Sequence, residues 1–430
     1  MAHEPRQAVL WDQARAAQAG AALPAGLART RVAVVGGGFT GLSAALSLAE
    51  RGHEVMLLEA GRIGQGASGR NGGQVVPGLK PDPQALGQRY GQACARRMLD
   101  FGFSAADYAF ALIRRHGIAC GATRNGWIQT AVGARGRERL QRRAQALLQA
   151  GAQVRYLDAG QVAQASGSDY YCAGLDETGA GAVQPVQLAL GLARAAARAG
   201  ARLYEDAPVT GLQPQGGGWR LQAGPGASVQ ADAVVLAADV YVDRLWPRQA
   251  ASMLQVASAQ IASEVLPPGL AQAILPRRAG ISEARKLTVY CRISPDGRFL
   301  IGGRARHTPR VDAATIGRLR RAAVQRFPAL AALRWDYAWH GRVGLTRDDA
   351  PRLCNPAPGL WTAYGFGGRG VALALRFGPT LAQAAAGAAA ADLDYPVTPL
   401  SAIPWHAVSA PAVSAGIFWH RLRDAIGYPA

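Results

Sequence analysis

Arg31-Val32-Ala33-Val34-Val35-Gly36-Gly37-Gly38-Phe39-Thr40-Gly41 is the stretch whose reading decides the fold of this chain. Its apolar, β-branched start reads as a parallel strand buried on both faces. Gly36, Gly38 and Gly41 then follow in G-x-G-x-x-G spacing. The first glycine permits the tight turn, the second lets a pyrophosphate approach the backbone, and the third lets helix and strand pack closely. Leu42–Arg51 reads as a helix with an apolar stripe at Leu42, Ala45, Leu46 and Ala49. Val55–Leu58 is a second strand, and it ends on Glu59. Phosphates would sit at the positive helix N-terminus, with Phe39 and Thr40 in its first turn. Glu59 is placed to accept from ribose hydroxyls and to repel a 2′-phosphate. Strand, glycines, helix, strand and acid together predict dinucleotide binding, which a bare glycine triplet would not.

A chain of 430 residues exceeds the size at which one core keeps growing, so two domains are expected. With 49% hydrophobic and 17% charged residues the composition is that of a globular protein. Met1–Arg6 leads into no apolar core, so no signal peptide is expected. The longest apolar stretch, Ala384–Ala391, is far short of the roughly 18 residues that span a bilayer. The formal charge of +19 comes from scattered arginines, with Lys80 and Lys286 the only lysines. Specific nucleic-acid binding is therefore not expected, while a basic patch touching acidic lipid or RNA stays open. Cys94, Cys120, Cys172, Cys291 and Cys354 are odd in number and form no C-x-x-C. They read as reduced thiols of a cytoplasmic protein, and neither they nor the seven histidines suggest a metal site.

A second glycine-rich segment runs from Gly61 to Gln74 and is expected neither to build a core nor to hold a helix. Ala60, Gly66, Ala67 and Ser68 read as a backbone cradle, continued by Asn71, Gly72, Gly73 and Gln74. A simple NAD domain has no use for this segment. A larger cofactor lying extended over the sheet edge does, and the expected cofactor becomes FAD.

G-G-G-F-T-G-L-S-A-A-L at 36–46, followed by G-A-S-G-R-N-G-G-Q at 66–74, resembles the D-amino-acid oxidase/glycine oxidase superfamily of FAD-dependent amine oxidases. Within it, the chain is most similar to the branch of γ-glutamylputrescine oxidase and L-pipecolate oxidase-like enzymes, from about Trp11 onward. The resemblance implies that the Val209 backbone meets the adenine and that Ala237-Ala238 lets the dinucleotide pass over the sheet. It implies that the loop Gly365-Phe366-Gly367-Gly368-Arg369-Gly370-Val371 clasps the flavin at its pyrimidine edge, near the chain's return at Gly341. It further implies hydride transfer from a neutral amine to flavin N5, hydrolysis of the imine, and reduction of O2 to H2O2. Sarcosine oxidases in this superfamily bind flavin covalently. Cys354, in an expected Pro-rich turn at Arg352–Pro356, does not match their attachment point, and non-covalent FAD is expected.

The fold class is α/β (α+β overall), a Rossmann-like FAD-binding domain with a discontinuous second domain built on an antiparallel sheet plus helices. The FAD-binding domain is expected over 28–95, 155–248 and 339–395, and the substrate domain over 96–154 and 249–338. Residues 1–27 read as an N-terminal arm anchored by Trp11, and 396–430 as a proline-rich tail with an aromatic-basic helix. Residues 83–150 read as helical around a strand in Gly121–Val132, whose Trp127 and Gln129 belong either to the core or to a cavity. Gly174–Val186 reads as a glycine-rich turn before a helix at Val186–Ala199. Period-two alternation at Val256–Ile261, Lys286–Ile293 and Arg298–Arg304 predicts an antiparallel sheet with one face free to line a cavity. Gly378-Pro379 should kink the helix that starts near Arg369.

No nucleophile–base constellation stands out, which suits chemistry carried by a cofactor. Arginine is the natural partner of a substrate carboxylate. Arg304, Arg285 and Arg369 are the candidates, with Tyr290 a further cavity candidate and His340 read as structural. Three functions are open at this point: an amine or amino-acid oxidase using O2, a membrane-associated dehydrogenase passing electrons to quinone, and an RNA-modifying flavoenzyme. The substrate and the oligomeric state are not readable.

Overall fold

The computed structural model describes residues 4–404 except 16–18, 286, 287, 306, 307 and 309. The expected aromatic-basic tail helix lies outside the described residues. Two large sheets organise the rest. The first has nine strands and is centred on Gly26–Val35, which pairs in parallel with Val55–Leu58 on one side and Ala227–Leu236 on the other. Val32, Ala33 and Val34 have no exposed surface, as a central parallel strand requires. Arg202–Glu205 extends the sheet beyond Val55–Leu58. Leu360–Tyr364 lies parallel to the end of Ala227–Leu236.

The first helix, Phe39–Glu50, has more than the expected stripe buried, since every residue from Phe39 to Ala49 is covered. It lies between the sheet and the helices Pro185–Arg198 and Gly370–Ala385. Its contact with the Gly370 helix also shows how that helix runs unbroken through Pro379, the position expected to kink it. Proline has no N–H for the Leu375 carbonyl four residues earlier. The Ser43 hydroxyl donates to that carbonyl at 2.7 Å instead. Gly378 permits the approach, because a Cβ there would lie 2.2 Å from Ser43 Oγ.

The second sheet has eight strands in the order Trp335–Leu345, Leu254–Val265, Arg298–Ala305, Val289–Ile293, Gly280–Glu283, Trp127–Ala131, Ala173–Glu177, Arg155–Leu157. It is antiparallel except where Gly280–Glu283 runs parallel to Trp127–Ala131.

The strands redraw several expected boundaries. Arg155–Leu157 and Ala173–Glu177, from the 155–248 segment assigned to the FAD-binding domain, join the eight-stranded sheet. So does Trp335–Leu345, across the boundary drawn at 339. Gln92–Arg115, placed mostly in the substrate domain, packs instead on the Gly370 helix, sharing one core with the first helix. The turn expected from Gly174 is a strand whose Asp176 and Glu177 are buried. Distant arginines make that possible: Arg155 and Arg277 pair with Asp176, and Arg369 with Glu177. Cys354, expected in a turn, lies buried in the strand Arg352–Ala357. The arm is anchored by Val9 and Leu10 as well as Trp11, and the Trp11 indole N–H donates to the Asn71 carbonyl at 2.9 Å.

Candidate functional site

One cavity of about 2250 Å³ runs between the two sheets. A pocket for a single small ligand measures roughly 300–1,000 Å³, so this one has room for an extended cofactor and a substrate together. Its floor at one end is the turn after Val35. Gly36 has φ 111°, and a Cβ there would lie 2.8 Å from the Ala237 carbonyl oxygen. At Gly38 a Cβ would lie 2.8 Å from Ser68 Oγ, which accepts from the Phe39 N–H at 2.9 Å. The two glycine-rich segments are thus bound to each other where both face the cavity. Glu59 accepts from the Gly37 N–H at 2.6 Å and from the Gly61 N–H at 3.0 Å. Its carboxylate is thereby held at the end of the second strand, where the spacing placed it.

Most residues singled out from the sequence reach this cavity. They include Gly36, Gly38, Phe39, Thr40, Glu59 and Ala60 at the turn, and Gly66, Ala67, Ser68, Asn71, Gly72, Gly73 and Gln74 in the second segment. Val209, Ala237, Ala238 and Gly341 also line it, as do Gly367, Gly368, Arg369, Gly370 and Val371. Gly41 and Gly365 do not. Gly41 packs under the turn, where a Cβ would lie 2.0 Å from the Gly36 carbonyl oxygen. Gly365 has φ 75° and bends the chain after Tyr364, and its N–H donates to Asp239 Oδ1 at 3.0 Å. Asp239 itself has φ 44° and sits just beyond Ala238, so one carboxylate joins the ends of two neighbouring strands. Burial raises its pKa above the ordinary aspartate value.

The other end of the cavity is a polar wall built on one face of the eight-stranded sheet. Register brings Gln260 opposite Gly302, Gly302 opposite Tyr290, Tyr290 opposite Ser282, and Ser282 opposite Gln129. Ser258 stands opposite Arg304 in the next row. Tyr290 lies across Gly302, where a Cβ would be 2.3 Å from its ring, and its hydroxyl is 3.0 Å from Ser258 Oγ. Burial pushes the Tyr290 pKa up to about 12, against the Ser258 hydrogen bond and the nearby Arg304 charge. Gln260 is 2% exposed; its Nε2 donates to the Arg70 carbonyl at 2.7 Å, leaving Oε1 without a donor among the described residues.

The three arginine candidates differ in what already holds them. Arg369 lines the cavity but is tied to Glu177, to the Pro77 carbonyl and to the face of Trp127. Burial raises the Glu177 pKa, with Arg369 acting against it. Arg285 lies 3.4 Å from Glu283 and 3.3 Å from the Tyr170 hydroxyl. Arg304 has neither an acid nor a carbonyl on its guanidinium among the described residues, and burial lowers its pKa. Gln129 lines the cavity, while Trp127 both lines it and packs in a small core with Val76 and Ala180. Ser258, Gln260, Gly302 and Asp239 were not singled out. Alternation at Val256–Ile261 already placed Ser258 and Gln260 on one face, whereas the contact of Gly302 with Tyr290 depends on register between strands.

The turn end therefore offers backbone amides at the start of a 12-residue helix, a carboxylate one strand away, and glycines whose missing side chains leave the approach open. That donor set fits the adenosine diphosphate half of FAD.

A family model described as FAD dependent oxidoreductase (DAO) matches residues 31–384. The chain is 32% identical over 366 residues to the probable oxidoreductase OrdL of Rhizobium meliloti (strain 1021), covering 84% of each protein. It is 30% identical over 403 residues to the gamma-glutamylputrescine oxidoreductase of Escherichia coli (strain K12), covering 92% of this chain and 93% of that one. The crystal structure of glycine oxidase from Geobacillus kaustophilus superposes with a TM-score of 0.69 at 25% identity, over 85% of this chain and 95% of that one. No helix among the described residues is long and apolar enough to cross a membrane.

Proposed function

Because the chain belongs to the DAO family of FAD-dependent oxidoreductases, we propose that it oxidises the C–N bond of an amine or amino acid that carries a carboxylate. The observation that carries this reading is the pairing, on one wall, of the Arg304 guanidinium, which has no acid or carbonyl on it among the described residues, with a buried acceptor at Gln260 Oε1 that has no donor among them. A guanidinium takes a carboxylate through two parallel hydrogen bonds. A buried acceptor without a donor is unfavourable until a ligand N–H reaches it. Carboxylate and amine are the two functional groups of an amino acid, and the wall presents a partner for each.

Gly36, Gly38, Ser68 and the Phe39 helix hold the pyrophosphate, Glu59 the ribose, and the backbone near Val209 the adenine. The loop Gly367–Val371 closes on the ring end, and Arg369 supports that loop through Glu177 and Trp127. When bound, FAD supplies a two-electron acceptor for the hydride leaving the carbon next to nitrogen. Arg304 fixes the substrate carboxylate, Gln260 accepts from its amine, and the Tyr290–Ser258 pair closes the wall against water. Relatives named as a glycine oxidase and a gamma-glutamylputrescine oxidoreductase support a substrate with an amine.

Anaerobic mixing of the purified yellow protein with N-methyl amino acids, pipecolate, proline, D-amino acids and γ-glutamylated polyamines tests the reading. Bleaching of the flavin band by at least one carboxylate-bearing amine is the expected result. Bleaching by none of these, but by carboxylate-free amines such as putrescine or benzylamine added as controls, would remove the role of Arg304. Reoxidation by O2 faster than by a quinone analogue is expected of an oxidase.

A further inference from the structure

A buried cation lies behind the cavity wall, and nothing described so far uses it. Arg292 is 2% exposed. Its Nη2 donates to the Val183 carbonyl at 2.8 Å, and its guanidinium carbon lies 5.1 Å from the centre of the Trp11 ring. Among the described residues no carboxylate pairs with it, and its Nε has no partner. Asp296, an acid that acts on it at longer range, is bonded to Arg298 and Ser294. Burial pushes its pKa down to about 10, which leaves it protonated at neutral pH.

On the cavity side it lies against the backbone at Gly73. Gly72 and Gly73 line the cavity, and a Cβ on Gly73 would lie 2.7 Å from Arg292 Nη2. The arm keeps the arrangement closed, since Trp11 donates to the Asn71 carbonyl and Gln184 donates to that of Trp11. A single hydrogen bond to Val183 does not offset the desolvation of a whole cation, and a methionine would fill similar volume without that penalty. What would offset it is negative charge arriving in the cavity.

We propose that Arg292 is a fixed positive charge behind Gly72–Gly73 that favours the reduced, anionic form of FAD held in the cavity and so raises its reduction potential. It is a positioning charge and touches neither cofactor nor substrate. The proposal rests on the reading that FAD occupies this cavity. The equilibrium concerned is oxidised FAD taking two electrons from an external reductant and one proton from water.

The test compares wild-type holoprotein with Arg292→Met and Arg292→Lys, measuring reduction potential by equilibration with a reference dye. Flavin content and Tm are recorded on the same samples. Arg292→Met is expected to shift the oxidised-to-reduced ratio at least tenfold toward oxidised, about 30 mV for a two-electron couple. Arg292→Lys is expected to keep most of the wild-type value. Equal potentials in fully loaded wild-type and Arg292→Met overturn the proposal even if Tm falls, because Arg292 would then be structural. Should Arg292→Met fail to fold, sulfite titration of the wild type decides. An anionic flavin–sulfite adduct at millimolar sulfite is expected, and its absence overturns the proposal. A colourless wild type that takes up no FAD overturns the cofactor reading beneath it, an outcome distinct from equal potentials.

Discussion

Gly302→Ala isolates the polar wall with one methyl group. The added Cβ would lie 2.3 Å from the Tyr290 ring and 2.4 Å from its hydroxyl, well inside contact distance. Gly72 also lies against the ring, where a Cβ would be 3.3 Å from it, and this limits the ring's room to shift. Tyr290 must therefore leave its rotamer, at about 0.5–1.5 kcal/mol, and lose its 3.0 Å bond to Ser258, at a further 0.5–1.5 kcal/mol or so. The rotamer term falls on stability and, in a chain of 430 residues, is read as a Tm decrease of about 0.5–2 °C. Loss of the placed hydroxyl falls on kcat/KM, where about 0.5–1.5 kcal/mol is roughly a 2- to 13-fold reduction. Tyr290→Phe removes the hydroxyl without the clash, so it should reproduce the kcat/KM loss and leave Tm nearer wild type. The assay is steady-state kcat/KM on the best substrate of the panel, with FAD content and Tm in parallel. Gly302→Ala protein with full FAD, unchanged Tm and unchanged kcat/KM would refute the reasoning.

Three further outcomes are expected. Glu59→Ala removes an acceptor that holds two backbone amides and is proposed to bind the ribose, so FAD should dissociate at least tenfold more readily, read by flavin fluorescence after gel filtration; full occupancy would contradict the role. Ser43→Ala leaves the Leu375 carbonyl without its substitute donor in a buried helix contact, and a stability loss of about 1–3 kcal/mol should appear in denaturant unfolding at constant m-value. For Asp239 the sign follows from burial. Its folded pKa is raised, so the native state holds the proton more tightly than the unfolded chain, and ionisation weakens the fold as pH climbs through that raised value. Asp239→Asn keeps an acceptor for the Gly365 N–H and tolerates φ 44°, so it should raise Tm at pH 7, with the gain shrinking as pH falls below the raised pKa and gone below the ordinary aspartate value. Asp239→Ala should lower Tm at every pH, and identical pH–Tm curves for the three proteins would contradict this account.

The dinucleotide-binding unit was legible because its signals are local. Val32–Val35, the glycines and Glu59 act within one strand–helix–strand stretch, and the structure seats them as their spacing implied. The second sheet was legible in period but not in extent. Ala173–Glu177 carries two acids before a Thr-Gly pair and so resembles a turn. What makes it a strand is charge compensation by Arg155, Arg277 and Arg369, from three other parts of the chain. The uninterrupted helix through Pro379 likewise depends on Ser43, more than 300 residues earlier. Among many arginines, sequence could not separate Arg304 from Arg369, because the difference is whether an acid lies within reach. The turn expected from Gly174 failed for the same reason, since it was decided by partners distant in sequence.

The central claim is that one cavity holds FAD along its glycine turns and a substrate carboxylate against Arg304. The most direct measurement titrates unreactive short aliphatic and aromatic carboxylates into the holoprotein, reading the flavin absorption spectrum in wild type and Arg304→Ala at equal FAD content. A saturable spectral shift in wild type, with Kd at least tenfold weaker in Arg304→Ala, is the expected result. Equal Kd values in the two proteins, or no spectral response to any carboxylate, would contradict the account.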